Sequence, residues 1–434
     1  MSRVKWIIGS VILIVLGFAG GLIFQAVTGI DLTPSNDDVI QTNTNDDEIT
    51  IMKDRLVENH GIPNDPTFSL EDMGRVYQQS ESRHLNGWLG DQFDETVCDE
   101  LAEWDIDYNL TTWDDDISPY YDAFIEDGLG GYFPETSTID VIHREQVQET
   151  DTYTVDYLVT TTRGPDDNVR AYLMMPKEPP PDDNGYPVVI LLHASNNLIE
   201  SLVGLYDGED RTNTAGIRWV ERGVVVLAID GLDNPSVSIM QTARLLNRNG
   251  YFLVIQRIHS MIDWLTAQTD FPVHRIATYG ISYGGYTSFW TGITDDRIDV
   301  VASNGFARDF TQWIFENPTT APEPMLRNWF QYIDWCTWEM STQARFIPPR
   351  RLLIEVGNLD KSTLIGDFSS PRTASATVDT TVFDLVADRI QGMYDQLGIG
   401  DRFKAIIFDG GHEMMSRESE DWIYEQLTRP VDTP

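Results

Sequence analysis

The sequence predicts an α/β fold, with a mostly parallel central sheet flanked by helices, a mainly helical N-terminal extension and an N-terminal transmembrane helix. Three observations point there. Six short apolar runs rich in β-branched residues, Val188–Leu192, Val224–Ile229, Ile276–Tyr279, Val300–Ala302, Leu352–Val356 and Ala405–Phe408, read as strands buried on both faces. Helix-like segments stand between them, notably Leu253–Ala267, Tyr283–Gly292 and Val382–Leu397, and strand–helix alternation implies a parallel sheet. Near the start, an apolar stretch from Trp6 to Val27 follows Arg3 and Lys5.

That first segment, residues 1–30, is expected to act at a membrane. Trp6–Val27 would form a helix about 33 Å long, enough to cross a bilayer. Asp31, Asp37, Asp38, Asp46 and Asp47 follow it, with no basic residue before Lys53, so the positive-inside rule puts the rest of the chain outside the cytoplasm. Two fates are open: a retained anchor, or a signal peptide removed at Ala19-Gly20-Gly21 to release a secreted protein. Residues 31–50 are rich in Asp, Asn and Thr, the composition of a flexible acidic stalk.

Residues 51–136 form an aromatic-rich N-terminal extension with helical stretches at Glu71–Ser80 and Glu95–Trp104, and are expected to pack on the main domain in a structural role. From 137 to 430 the pattern is that of a single catalytic domain. It opens with β-rich segments at Asp140–His143, Thr154–Thr161 and Val169–Met175, which suit an antiparallel entry into the sheet.

Asp and Glu outnumber Lys and Arg by 69 to 30, so a surface of net charge −39 repels phosphate backbones and excludes nucleic acid as a partner. Cys98 and Cys336 are the only cysteines; an exported chain can join them as a disulfide or leave them unpaired. Asn109-Leu110-Thr111 fits a glycosylation acceptor, a triplet that also arises by chance. The oligomeric state is not legible.

The chemistry starts after Ile276–Tyr279, where Gly280-Ile281-Ser282-Tyr283-Gly284 forms a G-x-S-x-G pentapeptide between a strand and a helix. Small residues around the serine allow a sharp turn that exposes its hydroxyl, and the helix N-terminus directs its positive end at a developing oxyanion. Serine needs a base at neutral pH. His412, in Asp409-Gly410-Gly411-His412-Glu413, follows the last strand run and fits that role. His60, His84, His143, His193, His259 and His274 lie before the serine, in a helical pattern or at the wrong strand end. The orienting acid is expected after Leu352–Val356, at Asp360, with Asp367 and Asp409 as fallbacks. One oxyanion N–H would come from Tyr283; the other would follow Val188–Leu192, at Ser195 or, next, Ala194. Residues 306–346 are a candidate cap, and Trp313, Trp329, Trp335 and Trp338 would either wall a substrate pocket or pack the insertion.

With these residues in place, 137–425 resembles the α/β-hydrolase superfamily. Tyr186–His193, Asp270–Ile276 leading into the elbow, Pro348–Ile354 and Phe408–Glu413 are similar to the acetyl xylan esterase and dienelactone hydrolase group and to the catalytic domain of prolyl oligopeptidases, whose elbow also reads G-x-S-Y-G-G. Ala194 stands where the family has glycine in its His-Gly stretch. The resemblance implies a serine carboxylic ester hydrolase working through an acyl-enzyme without metal or cofactor. Its substrate would be a small-molecule or carbohydrate ester, such as an acetyl xylan-type ester. A prolyl oligopeptidase-type peptidase is the alternative; the roughly 90 non-repeating residues before the domain are too few for the propeller of that group.

Overall fold

The computed structural model describes residues 108–125, 139–161, 168–180, 184–194, 199–206, 214–230, 250–307, 340–365, 373–414 and 416–430. In chain order these form α1 (Trp113–Ala123), β1 (Asp140–Glu149), β2 (Tyr153–Thr161), β3 (Asn168–Pro176), β4 (Tyr186–Leu192), α2 (Ile199–Leu202), α3 (Ala215–Val220) and β5 (Val225–Ile229). There follow α4 (Gly250–Thr266), β6 (Val273–Ile281), α5 (Tyr283–Thr294), β7 (Ile298–Asn304), α6 (Met340–Gln343), β8 (Arg351–Gly357), α7 (Lys361–Leu364), α8 (Thr381–Gln396), β9 (Phe403–Phe408) and α9 (Arg417–Thr428).

The strands form one sheet in the order β1-β2-β3-β5-β4-β6-β7-β8-β9. The first three run antiparallel, and β3 also meets β5 antiparallel. From β5 to β9 every pairing is parallel. The β-branched runs dictate this for β4 to β8, whose two faces are covered with side chains alternating between two cores, whereas β9, expected to be buried on both faces, is the sheet edge and leaves Ile407 exposed. Val188, Ile190, Leu192, Leu227, Val301 and Leu352 face one way, against Ile258 and Ile262 of α4, Phe289 and Trp290 of α5 and Phe383 and Ile390 of α8. Val189, Leu191, Val226, Tyr279, Ala302 and Leu353 face the other, against Trp219 of α3 and Ile423 and Leu427 of α9.

β1 is longer than its sequence suggests. Only Asp140–His143 looks strand-like, yet the strand reaches Glu149 as an almost fully exposed edge paired along Tyr153–Thr161. With no apolar face to bury, it leaves no alternation to read. α1 packs on the first core: Trp113 and Ile117 are buried there, and the Phe124 ring that follows meets Trp290 edge-on at 6.2 Å and Phe346 at 5.4 Å. Asn109 is exposed.

Among the described residues no helix is long and apolar enough to cross a membrane. The segment expected to do so, the acidic stalk, the helices expected at Glu71–Ser80 and Glu95–Trp104, and Cys98 and Cys336 all lie outside the described residues.

Candidate active site

Where strand order reverses direction, a crevice opens at the carboxyl ends of a parallel sheet. Here that point lies at β4, which has β5 on one side and β6 on the other. In the pairing of β4 with β6, Leu192 sits opposite Gly280, so the His193-Ala194 turn and Ser282 leave the sheet side by side.

Ser282 is the single residue between β6 and α5, and its backbone is at φ 58°, ψ −118°. A non-glycine residue there is strained by roughly 1–3 kcal/mol, so its surroundings must hold it. Its amide donates to the Asn304 carbonyl at 2.8 Å, and its carbonyl accepts from the Tyr286 amide at 3.0 Å. Gly284 allows α5 to press against the end of β4: a Cβ there would stand 2.1 Å from the Leu192 carbonyl oxygen. A Cβ on Gly280 would stand 2.2 Å from the Gly284 carbonyl oxygen, so the pentapeptide is two close contacts and a bent residue, the reason both flanking positions are glycine.

His412 is carried by the turn after β9, Asp360 by the turn after β8. Backbone bonds join these two turns, Asn358 N to Phe408 O at 2.9 Å and Leu359 N to Gly410 O at 2.8 Å. Both side chains are buried. His412 Nδ1 donates to Asp360 Oδ2 at 2.7 Å, which assigns the tautomer and leaves Nε2 as the lone-pair nitrogen. That Nε2 is buried and makes no hydrogen bond among the described residues. Ser282 reaches the pair through β7. Its amide bonds Asn304, while the next residue, Gly305 (φ 63°), lies against the imidazole, where a Cβ would come within 3.0 Å of Cε1 and 3.4 Å of Asp360 Oδ2.

Burial alone would raise the Asp360 pKa, but the adjacent His412 and the bonds from His412, Ser362 and Thr363 carry it below the ordinary carboxylate value. Sequence reasoning missed the two helpers. Ser362 donates to Asp360 Oδ1 at 2.6 Å and lies 3.2 Å from His412 Nδ1, and the Thr363 amide donates to the same Oδ1 at 3.0 Å. Asp360 is therefore also the N-cap of α7, and an Asp directly before the short helix Lys361-Ser362-Thr363-Leu364 is the signal that identifies it. Asp409 is exposed and takes a bond from Asn358 Nδ2 at 3.2 Å, a turn residue; Asp367 lies outside the described residues.

Tyr283 is the first residue of α5, where helix geometry provides no intrahelical acceptor for the amide. Ala194, the second residue after β4, is buried, and its carbonyl accepts from His193 Nδ1 at 2.8 Å. Ser195, Trp313, Trp329, Trp335 and Trp338 lie outside the described residues. Also among those described, no three His, Cys, Asp or Glu side chains converge as a metal-ligand set.

Sheet order and elbow together define the α/β-hydrolase fold, and solved structures agree. The chain is similar to a glucuronoyl esterase from Solibacter usitatus (13% identity over 74% of this chain and 94% of that one, TM-score 0.51). A glucuronoyl esterase from Teredinibacter turnerae gives 14%, 74%, 85% and 0.51 on the same measures. A Bacteroides fragilis protein described as a candidate acetyl xylan esterase gives 15%, 76%, 88% and 0.50. No protein-family model matches the sequence, and no curated protein does.

Proposed function

We propose that the protein is a serine carboxylic ester hydrolase acting on a carbohydrate ester. One observation carries the reading: a serine held at a strained strand-to-helix elbow beside β7, with a buried His412–Asp360 pair against the other side of the same strand end. In this mechanism Ser282 Oγ attacks the ester carbonyl carbon while His412 Nε2 takes the hydroxyl proton. The oxyanion turns toward the Tyr283 N–H and a second N–H following β4, each worth about 3 kcal/mol in the transition state. Asp360 keeps the proton on Nδ1 and stabilises the imidazolium. Collapse expels the alcohol, protonated by His412, and water then attacks the acyl-enzyme by the same route.

The glucuronoyl and acetyl xylan esterase neighbours support a carbohydrate ester as the substrate. Placement outside the cytoplasm, by a membrane anchor or after signal cleavage, draws on Arg3 and Lys5, the apolar run and the acidic residues after it. The decisive experiment is fluorophosphonate labelling of the wild type against Ser282→Ala, followed by turnover of acetyl and uronoyl sugar esters beside aminoacyl-prolyl amides. Labelling lost in the variant, with ester turnover and no amide turnover, is the expected result. Labelling that persists in Ser282→Ala removes the nucleophile from the proposal, and amide turnover transfers the site to a peptidase.

A further inference from the structure

Beneath the elbow lies a carboxyl group that the serine chemistry does not use. Glu355 sits inside β8 between Ile354 and Val356 and is fully buried. Its Oε1 accepts from the Tyr279 hydroxyl on β6 at 2.6 Å and from Asn304 Nδ2 on β7 at 2.6 Å, and its Oε2 accepts from the Ser419 hydroxyl on α9. A buried carboxyl is costly to desolvate unless its oxygens are satisfied, and this one is satisfied from three neighbouring elements.

Asn304 connects that carboxyl to the site. Its backbone carbonyl receives the Ser282 amide at 2.8 Å. Its Nδ2 donates both to Glu355 and, at 3.1 Å, to the carbonyl of Glu413, the residue after His412. Gly305 follows; its amide donates to the Glu355 carbonyl at 2.9 Å, and it packs against the imidazole. The nucleophile and the base thus hang on the same two residues at the end of β7, and both residues are bonded to Glu355.

We infer that Glu355 is a positioning residue: through Asn304 it fixes the spacing between the Ser282 elbow and the His412 loop. The role rests on the serine-hydrolase reading above. Glu355 touches no reacting atom. It acts on the distance that proton transfer from Ser282 Oγ to His412 Nε2 must cover, and a displacement of about 1 Å at such a site is worth on the order of a hundredfold in rate.

The test counts active sites by fluorophosphonate titration and measures ester turnover per titrated site near pH 8. Glu355→Leu leaves Asn304 Nδ2 with only the Glu413 carbonyl, and kcat is expected to fall roughly 10- to 100-fold with KM within about threefold. Glu355→Gln keeps an acceptor oxygen for Tyr279 and Asn304 and is expected to restore kcat to within about threefold of wild type. Asn304→Ala should match Glu355→Leu, and the double variant should be no slower than the slower single one, because the two act in series. Wild-type kcat per site in Glu355→Leu, or in Asn304→Ala where Glu355→Leu does not fold, overturns the proposal, as does a double variant equal to the product of the singles. Wild-type protein that labels normally while the variants are unaffected defeats this inference alone; wild-type protein that does not label defeats the hydrolase reading with it.

Discussion

Asp360 performs two tasks with two oxygens. Oδ2 holds the His412 N–H at 2.7 Å, and Oδ1 takes Ser362 and the amide that caps α7. Asp360→Asn separates them. An asparagine oxygen can still cap the helix, but an N–H₂ facing Nδ1 favours the tautomer with its proton on Nε2, where no lone pair remains to accept from Ser282. Turnover is expected to fall by about 10⁴ with little change in melting temperature. His412→Ala removes the proposed base and is expected to lower kcat by a factor on the order of a million, with KM largely kept. Stopped assays on titrated enzyme check both. An Asp360→Asn enzyme within tenfold of wild type would mean that the carboxylate only caps α7.

At the level of elements, the interior parallel strands β4 to β8 were legible because burial on both faces leaves a continuous apolar run, and edge strand β9 was legible from its apolar run although Ile407 is exposed. All six runs became strands, and the ends of β6, β8 and β9 positioned Ser282, Asp360 and His412. Edge strand β1 was legible only in part, for lack of a buried face. Glu355 stands within the Leu352–Val356 run, where a charged residue inside a strand covered on both faces must find partners, and that requirement is its signal. Close contact between elements is invisible in a pattern but testable. A Cβ on Gly284 would meet the Leu192 and His193 carbonyl oxygens at 2.1 and 2.6 Å, both of them backbone, so Gly284→Ala must push α5 off β4. The expected cost is about 3 kcal/mol, the upper end for overpacking, with loss of labelling at Ser282. Gly392 in α8 has open space around it, and Gly392→Ala should instead stabilise by about 0.5–1 kcal/mol. Urea melts of the two variants should move in opposite directions; equal shifts would sink the close-packing account of the elbow.

Across the whole molecule, two buried groups set opposing responses to pH. Burial pushes Glu355 up from 4.5 to about 7, despite the bonds from Ser419, Tyr279 and Asn304 and with added repulsion from Glu420, itself paired with Arg218. The folded state then holds a proton that the unfolded chain releases between 4.5 and 7, so stability falls as pH rises through that window. His259 on α4 does the reverse. Burial lowers it from 6.5 to about 4; Asp295 and Asp263 pull upward, Arg297 downward, and its Nε2 meets Thr294 Oγ1 at 3.0 Å. The unfolded chain binds the extra proton between 4 and 6.5, so stability rises with pH there. Each shift of about 2.5 units corresponds to about 3 kcal/mol. The two nearly cancel from 4.5 to 6.5, and Glu355 alone acts from 6.5 to 7. Asp360 and Asp295, both lowered from 3.8, contribute stability that is complete above that value and is lost only at lower pH. Single variants should expose each limb. Relative to wild type, Glu355→Gln should gain about 3 kcal/mol between pH 4.5 and 8, whereas His259→Gln should lose about 3 kcal/mol between pH 4 and 6.5. Chemical denaturation at half-unit intervals measures both differences, and the subtraction removes the self-repulsion of a chain with net charge −39 common to all three proteins. A Glu355→Gln difference that stays constant from pH 4.5 to 8 would mean that this carboxyl titrates as an ordinary one, and that the polar cluster under the elbow holds it ionised at no cost.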